Sequence, residues 1–206
     1  MVEIASALAG VLKPGRHGPP AKTAGLTLSE VKGRDVVQVG AWRETVDRVR
    51  EKLAYDLGTL PATGTRAAVT AGERTVIPVG PDKFLVVAPA SDNLFQKLSA
   101  AFPASEAVVT ELGHSRAILR IAGPNARDLV ARYLAVDLDP SVFPVGSFAA
   151  SGLHGVGVLL HYVRDMGGSS VFEAPVFDLY LPRSFAASLT EGILHVAEQW
   201  PCQVEA

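Results

Sequence analysis

The chain is 206 residues long and carries 19 basic and 21 acidic residues, a net charge of −2. No basic run gathers to neutralise phosphates, which excludes the usual footprint of a nucleic-acid partner. The single cysteine, Cys202, excludes an intrachain disulfide and any cysteine-based metal site, and it fits a reducing compartment. Hydrophobic residues make up 48% and charged residues only 19%. A chain of this length builds an ordinary core without metal or disulfide staples. The low charge fraction fits either a well-filled core or a surface covered by a partner.

The first dozen residues are apolar but include Glu3 and no Lys or Arg ahead of the apolar run, so the positive segment of a signal peptide is missing. No window approaches the ~20 apolar residues of a membrane-spanning helix. The expectation is a cytoplasmic protein with no membrane contact.

Taken in order, residues 1–25 end in K-P-G-R-H-G-P-P-A-K-T-A-G, a stretch dense in glycine and proline. It predicts an extended N-terminal arm rather than a helix or strand. Residues 26–31 and 35–39 read as strands. From Trp42 to Leu57 the spacing turns helical, with Val46, Val49, Leu53 and Leu57 on one face and Gly58 where a terminating glycine belongs. Residues 66–70 and 74–78 form a predicted hairpin around A-G-E, and 83–87 is a strand entered through G-P-D. Ser91 is the expected cap of a helix carrying Leu94, Phe95, Leu98 and Phe102, stopped by Pro103.

Residues 107–111 and 116–121 are predicted strands. Gly123 and Pro124 then open a helix holding Leu129, Val130, Tyr133 and Leu134. Strands follow at 148–153, 156–163 and 171–181, joined by H-G and M-G-G-S-S turns. A last helix over 184–200 places Phe185, Leu189, Ile193, Val196 and Trp200 on one side. The order repeats, each part resembling a β-α-β-β-α-β plan of about eighty residues. The expected fold is therefore α+β: residues 26–206 as one domain with ferredoxin-like pseudo-repeated halves, about 26–112 and 113–206, behind the arm at 1–25.

Chemistry is scarce. His114 and Ser115 are adjacent, and neighbouring side chains on a strand point to opposite faces, which defeats a nucleophile–base pair. Arg116 is positioned to pair with Asp128 or Asp137. Gly123, Pro124 and Asn125 start a helix, but proline removes one N–H donor and no phosphate-binding glycine motif is present. Asp137 and Asp139 lack the ligand count of a calcium loop and predict a capped turn. His154 and His161, seven residues apart, have no cysteine or H-E-x-x-H partner and read as polar residues at strand ends rather than zinc ligands. Glu106, Glu111, Glu173 and Asp178 show no acid–base spacing. No catalytic, cofactor-binding or metal-binding residue is assigned.

Four blocks do carry information: P-G-R-H-G at 14–18, G-R-D-V-V-Q-V-G at 33–40, V-G-P-D-K-F-L-V-V-A at 79–88, and residues 114–146 with their I-A-G-P-N turn and closing F-P-V-G. In order and spacing they resemble the gamma subunits of heterotetrameric sarcosine oxidases, whose fold is that of the folate-binding domains of the glycine-cleavage T-protein. The resemblance implies a non-catalytic subunit of a complex that demethylates sarcosine to glycine and passes the one-carbon unit to tetrahydrofolate. It implies no cofactor on this chain, with FAD, FMN, NAD and zinc in partner subunits. Alpha, beta and delta subunits are the implied partners, alpha mainly. His114, Arg116, Gly123, Pro124, Asp137, Pro144 and Gly146 are then structural or interface residues.

The arm at 1–25 suits a role along a partner's surface, with the expectation that deleting it weakens assembly and leaves the domain folded. The alternatives are a free-standing folate-binding or aminomethyltransferase-like protein, with Arg116, Arg120, Arg127 and Arg132 as candidate contacts for a glutamate tail, or a gamma-like subunit of an oxidase for another N-methyl amine. The K-G-C-[YF]-x-G-Q-[ED] signature of standalone folate-binding relatives is absent.

Overall fold

The computed structural model describes residues 6–55, 67–165 and 174–205. The chain divides into two units, one built from the residues up to Lys32 together with those from Ser115 onward, the other from Gly33–His114.

The second unit is the simpler. Strand β3 (Arg34–Ala41) is followed by helix α1 (Val46–Tyr55), a hairpin of β4 (Val69–Ala71) and β5 (Arg74–Pro78), strand β6 (Lys83–Pro89), helix α2 (Leu94–Ala101) and strand β7 (Ala107–Glu111). The five strands order as β4-β5-β6-β3-β7, all antiparallel. Val37, Val39, Phe84 and Val86 turn one sheet face toward Val49 and Leu53 of α1 and Leu94 and Leu98 of α2, closing a core. Helix α1 starts at Val46 instead of Trp42. The Thr45 hydroxyl is bound to the carbonyl of Glu106, and residues 42–45 form a turn closed by Thr45 N–H on Trp42 O at 2.9 Å. Leu57 and Gly58, predicted to finish this helix, lie outside the described residues.

Helix α2 is not capped by Ser91, which sits in a short 3-10 turn. Asn93 takes a left-handed conformation, and the Leu94 N–H is accepted by Asp35 Oδ2 at 3.0 Å, a carboxylate fifty-nine residues upstream. The acidic group also complements the positive end of the helix.

The first unit runs β8 (Arg116–Ala122), α3 (Ala126–Ala131), β9 (Phe148–Leu153), β10 (Val156–Asp165), β11 (Pro175–Pro182), α4 (Arg183–Ala197) and β12 (Cys202–Val204), the same element order as the second. The N-terminal residues add β1 (Gly15–His17) and β2 (Leu26–Glu30). The sheet order is β1-β12-β2-β8-β11-β10-β9. Without β1 and β2 this is the order of the second unit's sheet, so both units are ferredoxin-like β-α-β-β-α-β plans with one extra hairpin strand each. Strand β2 is inserted where the simple plan would pair β8 with β12: it runs antiparallel to β8 and parallel to β12.

Strand β11 is central and buried on both faces. Phe177, Leu179 and Leu181 face helices α3 and α4, meeting Leu129, Leu189 and Ile193. Helix α4 ends three residues before the predicted boundary at 200 and exposes Phe185, which the spacing had placed in the core. Leu189 and Ile193 are buried as the spacing predicts, joined by Ala186, Thr190 and Ala197, while Val196 and Trp200 are half-buried. The β9–β10 turn is the predicted His154–Gly155 pair, both with positive φ, as a two-residue hairpin requires. The M-G-G-S-S turn, Glu173 and the start of the predicted 171–181 strand lie outside the described residues.

The N-terminal segment departs from its expectation. Leu8 and Leu12 are buried in the first unit's core, and Gly15–His17 is a strand paired with β12. Deleting residues 1–25 therefore strips core side chains and a strand from this unit, rather than freeing an external arm.

Glycines fix the close approaches at this seam. A Cβ on Gly18 would lie 2.2 Å from the carbonyl oxygen of Trp200, and one on Gly123, whose φ is +116°, would lie 2.6 Å from the carbonyl oxygen of Gly25. That same carbonyl accepts the N–H of Asn125 at 3.1 Å, just ahead of α3. Helix α3 begins at Ala126, so Pro124 belongs to the turn before it and not to its first residue. Gly123→Ala is expected to cost about 3 kcal/mol or more in urea unfolding. Gly72→Ala, at a left-handed hairpin position with nothing within 4 Å, is expected to cost about 1 kcal/mol. Equal losses would show that the Gly25 contact is not a constraint.

Candidate functional site

The residues singled out by sequence fall at three places. His114 is exposed in a 3-10 turn, Gly113–Ser115, and not on a strand. Arg116 opens β8. Among the described residues it forms no ion pair with Asp128 or Asp137. Gly123 and Pro124 make the β8–α3 turn. Asp137, Pro144 and Gly146 are brought together in one loop that joins α3 to β9.

That loop is tightly anchored. Asp137 Oδ1 accepts the N–H of Asp139 at 3.0 Å, and Asp139 Oδ1 accepts the N–H of Ser141 at 2.9 Å. The Ser141 hydroxyl and N–H hold the Asp139 carboxyl below the usual carboxylate range. These are the capped turns that the acidic spacing predicts. The Asp139 carbonyl then accepts the N–H groups of Val142 and Phe143, and Gly146 N–H donates to Tyr162 O at 2.8 Å. Phe143 is fully buried, while Val142, Pro144 and Val145 are exposed.

Arg127 of α3 fastens the loop to the sheet. Its guanidinium donates to the Leu138 carbonyl and, at 2.9 Å, to the Tyr162 hydroxyl. It also stacks 4.8 Å from the Tyr162 ring centroid, beside Phe177. A planar cation with five donors serves both roles at once, which lysine could not do.

A second constellation lies across the strands. Register aligns Ser29, Arg120, Asp178 and His161 in one row over β2, β8, β11 and β10. Arg120 Nε and Nη2 grip Asp178 in a bidentate pair at 2.7 and 2.8 Å. His161 is 3% exposed, and its Nε2 has no hydrogen-bond partner among the described residues. Burial pushes its pKa down to about 4. The Asp178 carboxylate acts upward and the Arg120 cation downward on it. With both carboxylate oxygens of Asp178 engaged by arginine and the imidazole held neutral, the row is built to hold strands in register.

His161 is thus mid-strand and buried, not at a strand end, and the sequence reading missed the Arg120–Asp178 pair altogether. The available signal was a lone charge within each of two apolar strands, L-R-I and F-D-L, of opposite sign. A charge in a buried strand requires a partner. Glu106, likewise left unpaired, accepts from Lys52 at 2.6 Å and Arg48 at 3.2 Å. Cys202 lies in β12, where burial raises its thiol pKa to about 11 and keeps it protonated. Among the described residues no group of three His, Cys, Asp or Glu is placed to hold a metal ion, and no helix is long and apolar enough to cross a membrane.

Comparison with known proteins matches residues 49–186 to the model of the sarcosine oxidase, gamma subunit family. Sarcosine oxidase subunit gamma from an Arthrobacter species is 32% identical over 151 residues, spanning 71% of this chain and 74% of that protein. Its counterpart from Corynebacterium sp. strain P-1 is 30% identical over the same spans. Among solved structures, heterotetrameric sarcosine oxidase from Corynebacterium sp. U-96, in complex with pyrrole 2-carboxylate, contains a chain that superposes with a TM-score of 0.68 at 23% identity, covering 84% of this chain and 83% of that one. The glycine cleavage system aminomethyltransferase T from Bartonella henselae gives 0.61 at 18% identity, over 85% of this chain and 47% of that one. The fold is accordingly T-protein-like.

The buried histidine makes stability depend on pH. Its folded-state pKa lies below the ordinary 6.5, so the unfolded chain takes up the proton first. Stability is then lost as pH falls from about 6.5 to about 4, by up to ~3 kcal/mol, and levels off below. Urea titrations across this range are expected to show that slope in the native chain and a flatter one in His161→Phe. The same slope in both would remove His161 from the account.

Proposed function

The chain belongs to the sarcosine oxidase gamma subunit family, and from that premise we propose that it is the non-catalytic accessory subunit of a heterotetrameric oxidase. The complex demethylates sarcosine to glycine with transfer of the one-carbon unit to tetrahydrofolate. The observation that carries this reading is the family match across 49–186, together with relatives of which the chain covers about three quarters. In this reading the alpha, beta and delta subunits are its partners, alpha mainly, and they hold FAD, FMN, NAD and zinc. The assembly works in the cytoplasm.

His114, Arg116, Gly123, Pro124, Asp137, Pro144 and Gly146 serve as structural or interface positions. The repeated element order supports one α+β domain with pseudo-repeated halves, the first of them starting at about residue 33 rather than 26, because β2 pairs with β8 and β12 in the other unit. Three of the four arginines put forward for a free-standing folate carrier are engaged within the chain. Arg120 grips Asp178, Arg127 binds Leu138 and Tyr162, and Arg132 donates to Gln199 at 2.8 Å while stacking on Trp200.

Purification of the tagged chain from its native host at endogenous level tests the proposal. The expected outcome is co-elution with larger, flavin-bearing subunits. A colourless chain eluting alone, and binding tetrahydrofolate saturably, would contradict it.

A further inference from the structure

We propose, resting on the accessory-subunit reading, that the exposed turn Val142-Phe143-Pro144-Val145 is the seat of another subunit of the oxidase, and that this subunit receives it in an apolar pocket rimmed by basic side chains.

The turn combines two properties that suit a docking site. It is rigid: Phe143 is fully buried, Arg127 binds the preceding carbonyl of Leu138, Asp139 caps its start, and Gly146 and Tyr162 close its end. It is also apolar where it meets solvent, with Val142 52% and Val145 50% exposed on either side of exposed Pro144. A mobile loop loses conformational freedom when it docks, whereas a preorganised one does not, so its buried apolar area goes into affinity. Apolar anchors at the centre with charge at the rim is the anatomy of a protein interface.

Charge selects the occupant. Asp137 and Asp139 are exposed beside the turn, and Asp139 is held ionised by Ser141. A two-fold contact with a second copy of this chain would set these carboxylates against their own equivalents. An anionic lipid surface would repel them. A different chain carrying lysine or arginine around an apolar recess satisfies both the valines and the carboxylates.

The test is co-expression of the full chain with the other subunits and measurement of recovered complex. The double variant Val142→Asp, Val145→Asp is expected to lower recovery about tenfold or more, and Val142→Ser, Val145→Ser is expected to lower it in the same direction. The free chains should melt as the native one does, since both positions face solvent. Val108→Asp, at an equally exposed valine of β7 (49%), is expected to assemble normally. Asp137→Asn keeps the acceptor oxygen for Asp139 N–H and removes the charge, so its assembly should depend less on salt. Normal recovery of both double variants overturns the site while leaving the accessory reading intact. Unchanged salt dependence in Asp137→Asn overturns the basic rim. A native chain that assembles with no other subunit overturns the accessory reading and the site with it.

Discussion

The first unit depends on the insertion of β2 between β8 and β12. An N-terminal strand there must hydrogen-bond on both sides, and the turns flanking it must pass close to other backbone. Both conditions are met by glycine. Gly25 and Leu26 donate to the Pro201 carbonyl on one side, and the Gly25 carbonyl accepts from Asn125 on the other. Gly123 admits this approach only because it lacks a Cβ. Since Asn125 immediately precedes α3, the seam fixes where that helix begins, and α3 carries the arginine that ties down the following loop. The position of that loop therefore traces back to a strand a hundred residues earlier in the chain.

Within this frame several ionisable groups hold structure. Arg120 and Asp178 satisfy each other across two central strands. Breaking such a pair by removing one partner costs several kcal/mol because the other charge is stranded, even where the pair itself adds little. Lys52 and Arg48 converge on Glu106, and Asp35 caps α2. Toward solvent the α3–β9 loop presents Val142, Pro144 and Val145 beside the carboxylates of Asp137 and Asp139.

Much of this was legible in the sequence where the signal is local. Strands β7 and β9 and the His154–Gly155 turn follow from alternation and turn chemistry. The acidic loop's caps follow from Asp and Ser spacing. Long-range pairing was not legible. Residues 15–17 read as an extended segment because a three-residue strand has no periodicity of its own, and only its pairing with β12 makes it one. Ser91 is a sensible cap by type, yet the Leu94 N–H is taken by a carboxylate delivered by β3. Phe185 fits the apolar spacing of α4, but the register of that helix on the sheet turns Ala186 inward and Phe185 out. His161 and Asp178 look like isolated polar residues until strand register sets them side by side.

The proposed role of this chain in the oxidase is association, with no chemistry of its own. It is tested most directly by sarcosine turnover in the purified complex carrying His161→Phe, which alters the one buried imidazole described in this fold and leaves the exposed surface intact. The expected kcat/KM equals that of the native complex at neutral pH, per flavin bound. A fall of about tenfold or more in a complex with full subunit and flavin content would mean that this chain takes part in the reaction, and would contradict the claim.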